Sequence, residues 1–235
     1  MKGVFGYEGK FFAFMDKVGS LFWLNLLTII CSIPVFTAGA SITACYYVTL
    51  KMVRDEEGYI TKSFFKSFKQ NFRQSTVIWL ITLLLGLVFF ADYRLLNLKD
   101  ANGGPVVPFS NFIFIVVGAV AIVCLLINIY VYPVLAKFDN TIKNTVKNAF
   151  FMSILNLPKT IMLVVINAIF PALFILPVTT GKALWLILVV LCFGVSANAY
   201  FCSLLFVGIF DKYISDEVPE NRDEVITDRD TGSSK

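Results

Sequence analysis

Uncharged and charged segments alternate along the chain. The uncharged ones are residues 18–50, 74–91, 101–136, 160–181 and 183–210, of 33, 18, 36, 22 and 28 residues. A membrane-crossing helix needs about 20 mostly apolar residues, so each of the last four stretches predicts one crossing. The first is interrupted. Pro34 has no N–H and disfavours helix at Ile33 before it, and Gly39 admits backbone angles that other residues avoid. Residues 33–39 therefore predict a break between a helix over about 18–33 and a second over about 40–54. An unbroken 33-residue helix would be roughly 50 Å long, against a hydrocarbon core of roughly 30 Å. Two arrangements follow, a single kinked crossing or a tight hairpin of two short spans, and the excess length favours the hairpin.

The polar segments carry their own periodicity. Residues 8–17 read as a short amphipathic leading helix, with Phe11, Phe12, Phe14 and Met15 beside Lys10, Asp16 and Lys17. Over 61–73, Lys62, Lys66, Lys69 and Arg73 recur at i, i+4, i+7 and i+11, and Phe64, Phe65, Phe68 and Phe72 fill another face. That pattern predicts a basic amphipathic helix lying in a membrane interface. Residues 140–157 predict a second one. There Asn140, Asn144 and Asn148 form a row flanked by Lys143 and Lys147, with Phe150, Phe151, Ile154 and Leu157 opposite. Such helices let lysines meet anionic lipid or dock a cytoplasmic partner. A weak repeat relates 47–81 to 130–166, each running from an aromatic helix end through a charged turn and an amphipathic helix into the next span. It implies three successive helical hairpins.

The expected fold is all-α: a polytopic membrane helix bundle with five to six transmembrane segments and two cytoplasmic amphipathic helices. A single transmembrane domain covers 1–213, with spans at about 18–33, 40–54, 74–96, 110–136, 159–177 and 184–210. Residues 214–235 form an acidic tail with almost no apolar content, expected to be disordered and cytoplasmic. Composition agrees. The chain is 57% hydrophobic and 15% charged, with a mean hydropathy of +0.77, whereas a soluble domain is about 25% charged. Of 20 Lys and Arg, all but Arg94, Lys99 and Lys182 fall on one side of the predicted topology. Cationic loops stay cytoplasmic, which puts 51–73, 137–159 and the tail inside a bacterial cell membrane. These charges are spread over separate loops, so they do not suggest nucleic-acid binding. Ala38-Gly39-Ala40 has the form of a signal-peptide cleavage site, but apolar sequence resumes beyond it.

Candidate chemistry is sparse. There are no histidines, and the five cysteines all fall in uncharged stretches without a CxxC pair. No metal or other cofactor is expected, and no nucleotide or hydrolase motif is present. Asp55-Glu56-Glu57 reads as a solvated turn. No charged residue lies in the middle of a span, which argues against ion-coupled transport. Asn128, Asn167, Asn198 and Ser203 read as interhelical hydrogen bonders. The broken segment is the most function-like place, because irregular backbone at membrane depth must be satisfied by protein or by a cavity, and broken helices build substrate sites in transporters. Candidate substrate-binding residues there are Asn25, Ser32, Pro34, Thr37, Gly39, Ser41 and Thr43. Candidate partner-docking residues are Arg54, Asp55, Glu56, Gly58, Lys62, Lys66, Lys69 and Arg73.

One resemblance adds a setting. The run Cys31-Ser32-Ile33-Pro34-Val35-Phe36-Thr37-Ala38-Gly39-Ala40-Ser41, then Tyr46-Tyr47, Arg54-Asp55-Glu56-Glu57-Gly58 and Phe64-Phe65-Lys66-Ser67-Phe68 resembles the YesL family. That family comprises bacterial integral membrane proteins without an assigned activity. The opening Phe5-Gly6-Tyr7-Glu8-Gly9 also fits it. The resemblance implies proximity to carbohydrate ABC importers and polysaccharide-degrading enzymes. It suggests a non-catalytic accessory or permease-like component whose partners are membrane lipid and ABC permease or ATPase subunits. Glu57-Gly58 and Leu157-Pro158 are fragments of the signature by which importer permeases dock their ATPase. The alternative is a membrane scaffold or sensor that binds a membrane partner without transport. Oligomeric state is not legible.

Overall fold

The computed structural model describes residues 10–56, 58–98, 109–181, 183 and 185–216. The opening Phe5–Gly9, Glu57 and the tail from 217 onward lie outside them. Seven α-helices follow in order: α1 (Lys10–Ser32), α2 (Ala38–Val53), α3 (Ile60–Leu96), α4 (Ser110–Lys137), α5 (Ile142–Leu155), α6 (Leu157–Thr180) and α7 (Trp185–Asp216), with a 3-10 turn at Val35–Thr37 between α1 and α2. There is no strand among the described residues. Five helices (α1, α3, α4, α6 and α7) are long and apolar enough to cross a membrane. The protein is an all-α membrane bundle.

The helices pair as three antiparallel hairpins. Lys17 at the start of α1 bonds Asp55 just past α2 at 2.8 Å, so the two helices run in opposite directions and the break at Pro34 is a hairpin apex. For α3 and α4, Tyr93 packs on Phe114 near one end and Gln70 bonds Asp139 near the other. For α6 and α7, Lys159 Nζ donates to the Gly208 carbonyl and Asn167 meets Cys202.

The short helix of the first hairpin, α2, has 16 residues, roughly 24 Å of helix, yet it is the most enclosed. Eleven of its residues are buried, against α1, α3, α4 and α7. Small residues on α2 permit this. A Cβ on Gly39 would stand 2.6 Å from the Ser75 carbonyl oxygen and 2.6 Å from Trp79 Cβ, so α2 and α3 approach at a distance that only glycine allows. The core continues into the charged end of the bundle as an aromatic stack. Tyr46 and Tyr130 both present edges to Phe206, which stacks on Phe210, and Phe210 meets Phe138.

Two elements differ from expectation. The basic amphipathic segment 61–73 is no separate helix: it and the following span form the single 37-residue α3, because nothing between 60 and 96 breaks a helix. The second amphipathic segment is separate. Asn156 leaves helical geometry (φ −116°, ψ 41°), and Pro158 sits in the first turn of α6. Proline has no N–H for the preceding turn and clashes with it, so α5 cannot run on into α6. At the N-terminus, the amphipathic leading segment also merges into α1.

Candidate functional site

A cavity of about 290 Å³ opens among α2, α3, α4, α6 and α7. Its polar groups are three asparagines, Asn128 of α4, Asn167 of α6 and Asn198 of α7, and its aromatic walls are Tyr46, Trp79 and Tyr132. No charged side chain lines it. Asn198 Nδ2 donates to Asn167 Oδ1 at 3.0 Å, and Asn167 Nδ2 donates to the Leu163 carbonyl at 2.8 Å and meets Cys202 Sγ at 3.3 Å. Across the cavity, Asn128 Nδ2 donates to Thr82 Oγ1 at 3.0 Å, and Thr82 donates to the Ile78 carbonyl. These three asparagines are interhelical bonders, as the sequence suggested, and they also gather on one cavity, which sequence position could not reveal. Each primary amide offers two donors and two acceptor lone pairs, so the bonds made leave capacity for an uncharged polar guest.

Trp79 links this cavity to the hairpin apex. Its indole Nε1 donates to the Val35 carbonyl at 2.7 Å, and its ring forms part of the cavity wall. The apex satisfies its own backbone. The Thr37 hydroxyl meets the carbonyls of Cys31 and Pro34, each at 2.6 Å, and the Thr37 N–H bonds the Pro34 carbonyl at 2.8 Å. Ile33, Val35 and Phe36 are the apolar residues left exposed there, which suits a lipid surrounding better than water.

The seven residues singled out around the break are placed as follows. Asn25 enters α7: its Nδ2 donates to the Leu191 carbonyl at 2.7 Å, and its Oδ1 accepts from the N–H groups of Val195 and Ser196 at 3.0 and 3.1 Å. Leu191 and Val195 are the two ends of one i, i+4 backbone step, so Asn25 reads α7 as a peptide group would. Ser32 donates to the Thr28 carbonyl and Thr43 to the Gly39 carbonyl. The Ser41 hydroxyl is fully buried with no partner among the described residues. Pro34 forms the apex with Thr37, and Gly39 fits against α3. None of the seven lines the cavity between the hairpins.

Residues 21–93, which run from α1 through most of α3, match the family model described as "Protein of unknown function, DUF624". Over 144 residues the chain is 26% identical to "Uncharacterized protein YesL" of Bacillus subtilis (strain 168), covering 60% of this chain and 65% of that relative. Over these residues the chain is similar to YesL. No solved structure matches it.

The matched region holds the residues expected to dock a partner. Arg54 forms an ion pair with Asp211 of α7, and Asp55, with a left-handed φ of 53°, pairs with Lys17. These two residues therefore tie α2 to α7 and to α1. Glu56 borders a small cavity with Lys51 and Lys137. Gly58, Lys62, Lys66 and Lys69 line a separate open groove beside Trp23, and Arg73 is exposed farther along α3. Among the described residues, no three His, Cys, Asp or Glu side chains gather in a way that could hold a metal ion, and the five cysteines are free thiols.

Proposed function

We propose that the protein is a membrane-embedded, permease-like or accessory component of carbohydrate import through an ABC system, with no catalysis of its own. The observation that carries this reading is the uncharged cavity bounded by amides and aromatic side chains between the hairpins. Amides can donate to and accept from hydroxyl groups, and aromatic side chains such as Tyr46, Trp79 and Tyr132 along the wall suit the apolar C–H groups of a sugar ring. The cavity walls have no acid or base that would bind an ion or drive proton coupling. The importer setting is what the YesL resemblance implies. Deleting the gene is expected to slow uptake of labelled oligosaccharide. A plasmid-borne wild-type copy should restore uptake, while one carrying Asn128→Leu and Asn198→Leu should not. Unchanged import kinetics in the deletion strain would sink the reading. Capture of a membrane partner without a transport defect would favour the scaffold or sensor instead.

A further inference from the structure

The open groove beside α3 differs in character from the central cavity. It measures about 780 Å³ and is bounded on one side by Lys62, Lys66 and Lys69 of α3 and on the other by Trp23 of α1, with Tyr59 and Phe65 between. The three lysines share one helical face and are exposed. Among the described residues none forms an ion pair, and no Asp or Glu lines the groove. The opposite wall belongs to the uncharged stretch 18–50. The walls are fixed to each other, because Trp23 Nε1 donates to Thr61 Oγ1 at 2.9 Å. The groove therefore sets a basic row against an aromatic wall, just ahead of the point where α3 turns from charged to uncharged sequence at residue 74.

We propose that this groove seats one anionic phospholipid, its phosphate on Lys62, Lys66 and Lys69 and the start of its acyl chains along Trp23 and Phe65. An amphipathic occupant matches both walls. A free anion would leave the aromatic wall without a partner. A lipid in a shaped groove also differs from the diffuse attraction any basic helix exerts on a charged membrane surface.

The test uses the full-length protein in nanodiscs of phosphatidylcholine containing a minority of phosphatidylglycerol, with native mass spectrometry reading the phosphatidylglycerol retained after release. The wild-type protein should keep one. Surface attraction contributes roughly fivefold per lysine, so Lys62→Gln/Lys66→Gln/Lys69→Gln should lower retention on the order of a hundredfold. Replacing the same three with arginine should preserve it. Lys137→Gln/Lys143→Gln/Lys147→Gln at and beside α5 removes the same charge elsewhere and should change little. Trp23→Ala keeps every charge and should still weaken retention, which decides the matter if the triple glutamine variant fails to fold. Equal losses from the α3 and α5 variants would overturn the proposal in favour of diffuse attraction. So would displacement of the lipid by millimolar inorganic phosphate, or an acidic protein co-purifying in the groove instead.

Discussion

Asn25 shows how much one side chain can hold. It is buried on α1 and carries three bonds to the α7 backbone. Asn25→Leu removes all three and leaves polar groups facing an apolar side chain. An unsatisfied buried group costs about 1–3 kcal/mol, so the variant should lower the unfolding midpoint in detergent, and Asn25→Asp should lower it as well, because an ionised carboxylate has no donor for the Leu191 carbonyl. Ser41 is the converse. Its hydroxyl is buried without a partner, so Ser41→Ala should be neutral or stabilising by up to about 1 kcal/mol if the residue only packs, and loss of uptake in a stable Ser41→Ala protein would instead mark it as a ligand. At Gly39 an added Cβ has nowhere to go. Gly39→Ala should therefore destabilise the α2–α3 contact, while Gly86→Ala and Gly118→Ala, whose Cβ positions meet nothing within 4 Å, should leave the midpoint unchanged. The sequence marked Asn25, Ser41 and Gly39 as noteworthy from composition and position. It could not say that Asn25 faces backbone on a helix some 170 residues away, because no local pattern encodes a contact at that separation.

Among the elements, the α1–α2 hairpin was legible and its depth was not. Pro34 and Gly39 located the break, and the surplus length of 18–50 favoured a turn over a kink. The pairing with α3 then fixes where the apex lies. Val35 is level with Trp79, and α3 continues from Trp79 to Leu96, roughly 25 Å farther at 1.5 Å per residue. The hairpin thus stops well short of the far end of its neighbour, and its exposed Ile33, Val35 and Phe36 are placed for lipid. In a cysteine-free background, cysteines at Val35 and Phe36 should resist a membrane-impermeant thiol reagent added to either face, whereas one at Leu98 should react from one face. Rapid labelling at Val35 would show an apex in water. That the amphipathic segment and following span form one helix in α3 but two in α5 and α6 was not legible from amphipathicity, since both segments carry it. Proline decides it: Pro158 interrupts the second, and nothing interrupts the first.

For the whole molecule, apolar stretches gave the class and the long spans, because those follow from lipid contact and helix length, which sequence states directly, while the three hairpins rested on a weak repeat. The cavity was not legible. Asn128, Asn167 and Asn198 come from three helices, and only the crossing of α4, α6 and α7 brings them to one place. The helix α3, which nothing interrupts, is a single stiff beam. It is 37 residues long, roughly 55 Å, with Lys62 near one tip, Tyr93 near the other, and Trp79 close to its middle. Gly39 of α2 bears on that middle without a side chain between them. A load on the lysine-bearing arm cannot be absorbed by a joint, because α3 has none. Trp79 lies on that unbroken helix beside the Gly39 contact and also forms part of the cavity wall. One unbroken helix therefore joins the lysine-lined groove near its start to the uncharged cavity at its middle.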